Sequence, residues 1–409
     1  MKSKNVLIVI SVLGVGGTEI QTLNTVRALV LGGYKVTVLC LFRHIASVVA
    51  DYEKCGAKVY CASPQYANYD VDIVYPHGFR LLLFLYKNLR RVIRKENIGV
   101  VHVQYMTPAA SVILVLRYFL FKRNIIATAH TAADIYKDLR LLYFIQRHCL
   151  RAFTCITERA ERSFFGTSQL YTTETVLGKR NHFTIYNALA PRNGEQVRCN
   201  VDVNVLGLAE GFAIDVNENE NCHPDGNSKL NTKRTLGVVS RLEPIKGMDL
   251  VVPAFAEVLK RFPEVRLLVV GDGSLRATME QQAAELGCAD RITWVGRQPQ
   301  EELNKWYGQM DIVLMPSRSE GFGLTAIEAM ANGCVVVASN VGGLPEVVRD
   351  GVCGLLHRTE NVKDMAAKVC TLLDDAVLYE RLRAQSLIEV EKYSFELYAQ
   401  LINDLYRKL

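Results

Sequence analysis

Short, nearly unbroken apolar runs recur along the chain, separated by stretches of helical periodicity. The first half carries "NVLIVI", "KVTVLCLF", "KVYCA", "GVVHVQ" and "NIIATAH"; the second carries "TLGVVS", "VRLLVVGD", "RITWVG", "DIVLMPS" and "CVVVAS". Helical patterns occupy stretches such as 18–32, 249–261, 275–287 and 362–374. Strands without a polar face, alternating with helices, predict βαβ units and parallel sheets covered on both sides. The right-handed crossover rule turns these units into doubly wound layers. Residues 192–233 break the rhythm, being polar and rich in Asn and Gly, with Asn and Glu alternating over 217–221. They read as an interdomain linker with a short strand at "GFAIDV" and a mobile tip near 217–231. The predicted fold class is α/β: a lobe over 1–190, a linker or insert over 191–234, and a second lobe over 235–388. Two doubly wound parallel-sheet domains then face a cleft, and ligands are expected at the carboxyl ends of the strands.

Composition narrows this only a little. With 409 residues, 49% hydrophobic and 22% charged, the chain suits a globular protein of two or three domains and is too apolar for global disorder. A net charge of +6 is mild, and no nucleic-acid partner is expected from it. The 11 cysteines lack C-x-x-C spacing, so reduced, mostly buried thiols of a cytoplasmic protein are expected. The opening "MKSKNVLIVISVLGVGGTE" imitates a signal peptide but runs into a Gly-rich turn without a cleavage site, so it reads as a first strand. No apolar stretch is long and uncharged enough for a transmembrane helix.

Candidate chemistry concentrates in "SRSEGFGLTAIEAMANG", residues 317–333. A strand precedes this loop and a short helix follows it, stopped by Asn332-Gly333. Gly321 and Gly323 let the backbone approach a ligand. The amides of Phe322, Gly323, Leu324 and Thr325 at the helix N-terminus make an anion site. Glu320 and Glu328 flank it, which suits a diphosphate held between two groups of hydroxyls, as in a sugar nucleotide. A capped turn with two solvated glutamates reads from the loop alone equally well. "VVSRLEPIKGMDL" places Arg241 and Lys246 after another strand, where a guanidinium fork and an ammonium can meet phosphate oxygens. "GVGGTE", residues 14–19, follows the first strand. Glu19 stands where a dinucleotide fingerprint needs its third glycine, and the second strand ends "LCLFRH" without an acid, which argues against NAD. Gly16 and Gly17 still admit a phosphate or sugar. His130 ends "NIIATAH", at a strand terminus facing the cleft.

Taken in order, "GGTE", "ATAH", "IYNAL", "SRLEPIKG", "VVGDG", "WVG", "SRSEGFGLTAIEAMANG" and "GGLPEVVRDGVCGLL" resemble the retaining glycosyltransferases of family 4, with their two-lobed GT-B fold of Rossmann-like domains. The resemblance covers nearly the whole chain. It implies that Glu320 contacts the donor sugar and Glu328 the ribose, and that Arg241 and Lys246 neutralise the diphosphate. Gly17 and His130 would line the sugar from the first lobe. Arg297 would flank the base, Asn187 would close the first lobe, and a final helix over 389–409 would cross back onto that lobe. It further implies a nucleotide-sugar donor, a glycan or lipid-linked acceptor, retention of configuration, and no metal or other cofactor. The metal-binding alternative is "DVD" at 70–72, as in single-lobed transferases. The carboxylate pair of glycoside hydrolysis does not fit, since one glutamate is given to ribose. An epimerase of the same fold and a non-catalytic scaffold are the rival readings. Residues 79–97, "FRLLLFLYKNLRRVIRKEN", read as an amphipathic helix with Leu82, Leu85, Leu89 and Val92 on one face and Lys87, Arg90, Arg91, Arg94 and Lys95 on the other. Such a helix suits the anionic inner face of a membrane, and an ordinary packed helix with a solvated basic face fits the same pattern.

Overall fold

The apolar run from Asn5 to Leu13 has no polar face to turn to solvent. In the computed structural model it lies mid-sheet, with Val6 to Ile10 buried. The structure describes residues 4–63, 76–105, 109–133, 139–178, 180–191 and 234–409. The expected strand at "GFAIDV", the tip at 217–231 and the "DVD" at 70–72 lie outside the described residues.

The first sheet is built from β1 (Asn5–Leu13), β2 (Lys35–His44), β3 (Lys58–Cys61), β4 (Val100–Tyr105), β5 (Ile125–Ala129), β6 (Ala152–Cys155) and β7 (His182–Thr184), in the order β3-β2-β1-β4-β5-β6-β7. The second contains β8 (Thr235–Val239), β9 (Arg266–Val270), β10 (Ile292–Gly296), β11 (Ile312–Met315), β12 (Val335–Ser339) and β13 (Gly354–His357), ordered β10-β9-β8-β11-β12-β13. All the pairings are parallel. Strand order reverses between β1 and β4 and between β8 and β11, so each sheet opens a crevice at its carboxyl edge there. The strands β6, β7 and β13 are additions to the sequence reading.

In the first lobe the helices are α1 (Gly17–Leu31), α2 (Ala46–Lys54), α3 (Gly78–Lys95), α4 (Ala109–Leu114), α5 (Leu139–Cys149) and α6 (Glu158–Phe165). The second lobe carries α7 (Val251–Leu259), α8 (Arg276–Glu285), α9 (Leu303–Tyr307), α10 (Leu324–Ala331), α11 (Leu344–Val347), α12 (Val362–Asp374) and α13 (Ala376–Glu389). The last helix, α14 (Phe395–Lys408), lies on the first lobe: Tyr398, Ile402 and Leu405 share a core with Val26 and Leu29 of α1. Thr25 and Tyr398 exchange a 2.7 Å hydrogen bond between their hydroxyls. Leu189 donates its backbone N–H to the Tyr393 carbonyl at 2.9 Å, so the segments running between the lobes are joined.

The helix expected at 79–97 is present as α3, but its apolar face is spoken for. Leu85, Leu89 and Val92 are fully buried under the first sheet with Val112, Leu142 and Ile145, and Leu82 packs beside them. The reason is that a sheet without a polar face must be covered. What α3 leaves outside is its basic side, together with Phe79 and Leu83. Among the described residues, no helix is long and apolar enough to cross a membrane.

Candidate active site

The strand β11 delivers the chain into the 316–323 loop at the carboxyl edge of the second sheet. Gly321 must be a glycine: a Cβ there would stand 2.5 Å from the His130 carbonyl oxygen of the other lobe. Gly323 has φ +107° and caps the start of α10, so it too excludes an ordinary side chain without strain. The first N–H groups of α10 have no partner inside the helix and form its positive end. Phe322, whose amide belongs to that end, buries its ring against Tyr186 and Tyr393. Leu324 lies against Gly17, and Thr325 follows in the first turn of α10. Gly16 caps α1 from an extended conformation. The loop is thus enclosed by the first turn of α1, the end of β5 and its own lobe.

Two of the expected roles meet in one ion pair. Lys246 ends a single 3-10 turn, Pro244–Lys246, and donates to Glu320 at 2.7 Å, with side chains 23% and 16% exposed. The sequence reading treats Lys246 as a cation awaiting phosphate and Glu320 as a carboxylate awaiting hydroxyls. The structure pairs them instead, because two opposite charges this shielded from water offset each other's desolvation only when in contact. Arg241 remains exposed and has no ion pair among the described residues. Across the cleft, Glu19 of α1 has its carboxyl pushed up by burial and pulled back partly by backbone hydrogen bonds and by Arg241. Arg318 holds the cation-bearing turn in place: it forks onto Asp249 at 2.7 and 2.8 Å and also reaches Glu360 and the Pro244 carbonyl.

Glu328, one turn into α10, accepts from Gln300 at 2.7 Å and from the Tyr307 hydroxyl at 3.0 Å. Burial raises its pKa, and these hydrogen bonds counter that only in part. Arg297 is exposed just after β10, on the segment that leads to Gln300. From the first lobe, His130 is buried at the end of β5, 2.6 Å from Gln104 Oε1. Burial lowers its pKa to about 4. Asn187 is buried, its Oδ1 without a hydrogen-bond partner among the described residues, in a segment tied to α1 through Gln21 and Asn24. Glu346 of α11 spans the lobes, accepting the N–H groups of Glu158 and Arg159 at the start of α6 at 2.8 and 2.5 Å.

The structure therefore gathers His130, Gly16, Gly17, Lys246, Glu320 and Gly321–Thr325 around one loop, with Glu328 a turn below. Among the described residues no hydrogen bond joins Asn187 to that set. Gln104, Gln300, Tyr307 and Glu346 are absent from the sequence reading, which names Glu19 only against a dinucleotide fingerprint. Glu19 carried a signal, as the polar residue in the third glycine position; Gln104 carried the same strand-end signal as His130. Among the described residues no group of three or more His, Cys, Asp or Glu side chains is placed to hold a metal ion.

Residues 222–387 match the family described as Glycosyl transferases group 1, and residues 15–168 match Glycosyltransferase Family 4. A D-inositol 3-phosphate glycosyltransferase of Nocardia farcinica is 43% identical over 156 residues, which cover 36% of this chain and 34% of that protein. A protein of the same name from Corynebacterium aurimucosum is 36% identical over 183 residues, covering 43% of each. The chain thus spans about a third of the length of the first of these relatives and less than half of the second. Across the whole fold, a glycosyltransferase from Rickettsia africae superposes with a TM-score of 0.70 at 18% identity, covering 100% of this chain and 98% of that one. Anabaena HepE, crystallised with UDP and glucose, gives 0.69 at 18% identity, covering 99% and 100%.

Proposed function

Because the chain belongs to the glycosyltransferases of group 1 and family 4, we propose that it moves a sugar from a nucleotide-sugar donor to a glycan or lipid-linked acceptor, retaining the donor's configuration. The observation that carries this reading is the convergence on one loop of a helix N-terminus, the Lys246–Glu320 ion pair and Glu328, closed by the first lobe's His130. In the proposed reaction the diphosphate enters at the amides of Gly323–Thr325. Arg241 turns onto it, and Lys246 exchanges its contact with Glu320 for the phosphate oxygens. Glu320 is released as the sugar's hydroxyls arrive, so donor binding and liberation of that carboxylate are one event. Glu328, held by Tyr307, takes the ribose diol, while Arg297 and Gln300 lie on the side of the base. Negative charge growing on the leaving diphosphate is met by fixed amides and two cations, which is the work a metal does in other transferases. The reaction is accordingly proposed to proceed without a metal ion, and EDTA should leave turnover intact.

The acceptor side belongs to the first lobe in this reading. The outer face of α3 has no acidic side chain, exposes Lys87, Arg91, Arg94 and Lys95, and projects Phe79 at 78% exposure. It packs beside the turn that exposes Tyr118 and Phe119. Cations interleaved with large apolar tips suit an anionic bilayer surface, and an envelope-glycan or lipid-linked acceptor on the inner face would be met there.

Incubating the chain with a panel of sugar nucleotides and candidate acceptors tests the central claim. Nucleoside diphosphate released together with a glycosylated acceptor is expected. An epimerised free sugar without transfer would replace the reading with that of an epimerase, and no binding of any sugar nucleotide would leave a scaffold.

A further inference from the structure

Gln104 and His130 stand at neighbouring strand ends, since β4 and β5 pair in register up to Tyr105 and Ala129. Gln104 Oε1 lies 2.6 Å from His130 Nε2, and with 2% and 7% exposure no water competes for either group. An amide oxygen only accepts, so the ring nitrogen facing it carries the hydrogen. Burial holds the imidazole neutral at ordinary pH, which leaves it a single N–H. His102, the titratable group that faces it, is likewise kept neutral by burial. Nδ1 of His130 then retains its lone pair, and among the described residues nothing donates to it. The same residue's backbone carbonyl lies against Gly321, which puts His130 beside the loop where the sugar is proposed to bind.

Resting on the transfer reading above, we infer that Gln104 is a positioning residue: it fixes His130 as the Nε2–H tautomer, so that Nδ1 meets the donor sugar as a hydrogen-bond acceptor and selects sugars presenting a hydroxyl there over sugars presenting a carboxylate. A hydroxyl is neutral and can donate to the lone pair. A carboxylate would set acceptor against acceptor, leaving a charged oxygen without a hydrogen-bond partner against the ring.

The test uses the full chain labelled with 15N-histidine and long-range 1H–15N correlation spectra, with His130 assigned from the spectrum of His130→Asn. Wild type should show a neutral His130 protonated at Nε2. Gln104→Met, of similar size but with no strong acceptor, should lose the fixed tautomer, and Gln104→Glu, which keeps an acceptor, should restore the hydrogen at Nε2. In parallel, calorimetry compares UDP-glucose with UDP-glucuronate as probes. Wild type should prefer the former, and the preference should shrink about tenfold in Gln104→Met. A wild-type hydrogen on Nδ1 overturns the inference, as does an unchanged preference once the tautomer is lost. If wild type binds neither probe, the selectivity falls, whereas the panel of sugar nucleotides still decides the donor reading and the spectra still decide what Gln104 does to His130.

Discussion

The lobes bring different kinds of polarity to the cleft. The second supplies full charges, Arg241 exposed and Lys246 against Glu320, beside a Glu328 that burial pushes up and Tyr307 and Gln300 hydrogen-bond. The first supplies polar groups that stay uncharged: a neutral His130 on Gln104, the amide of Asn187 and the main chain at Gly16 and Gly17. Even its Glu19 is pushed toward the neutral form by burial. In the proposed reaction this divides the donor. Charge is concentrated where the diphosphate gathers negative charge, and neutral acceptors and donors are kept for a sugar that has none.

The largest test of this division is Lys246→Ala. Removing a cation from the leaving group should lower kcat about a hundredfold or more, on the scale of a lost oxyanion contact. It also strands Glu320, so the melting temperature must be recorded alongside turnover. Turnover near the wild-type value in a folded variant would mean that the charged half is not the reacting half. Next in size is Glu328→Ala, which should weaken calorimetric binding of the bare nucleoside diphosphate by roughly 1.5–3 kcal/mol, the range for a hydrogen bond to a charged group. Glu320→Ala should spare that affinity and damage transfer. Equal affinities for wild type and Glu328→Ala would remove the ribose from this carboxylate.

Acid probes the neutral half. His130 and His102 ordinarily titrate near 6.5, and burial lowers them to about 4 and about 3. The unfolded chain therefore takes up protons below pH 6.5 that the folded chain refuses until about pH 4. Stability is flat above that window and falls as pH drops through it, by about 1 kcal/mol per histidine per pH unit. Denaturant melts at successive pH values should show this slope, and His102→Gln should about halve it. A slope indifferent to that substitution would place the proton uptake elsewhere. The smallest effect lies outside the cleft, where the first lobe is cationic rather than neutral. Wild type should float with anionic liposomes at low salt, and Arg90, Arg91 and Arg94 changed to Glu should abolish this without lowering the melting temperature. Each basic side chain near such a surface contributes about 1 kcal/mol, screened as salt rises. A wild type that ignores anionic liposomes leaves α3 as a packed helix alone.

Much of the fold was legible because central parallel strands are apolar on both faces: β1, β2 and β12 announce themselves as runs of Val, Ile and Leu. The strands that escaped are short or peripheral. β7 is a three-residue edge strand whose His182 is explained by a buried Glu161, a partner distant in sequence. β6 and β13 are four residues each. At the site, the Gly-rich loop and its cations were legible because glycine and charge after a strand have few other uses. Partnerships were not. Nothing in "EPIKG" says that Lys246 meets Glu320, since that contact depends on two neighbouring strands ending at the same height. Glu346 was hidden for a stronger reason, because its partners are backbone amides of the other lobe, which have no letter in the sequence. The apolar stripe of α3 was legible as a stripe, whereas whether lipid or a sheet covers it is decided by tertiary packing alone.

The bond between Leu189 and Tyr393 has a mechanical consequence. A body attached to another at a single point can swivel about three axes. Here the outgoing and returning segments are fastened to each other between the lobes. Twisting one lobe against the other would shear that fastening, whereas flexing about it need not. Opening of the cleft is thus expected to favour one angle, as in a door rather than a ball joint, and a pair of distance labels across the mouth tests this.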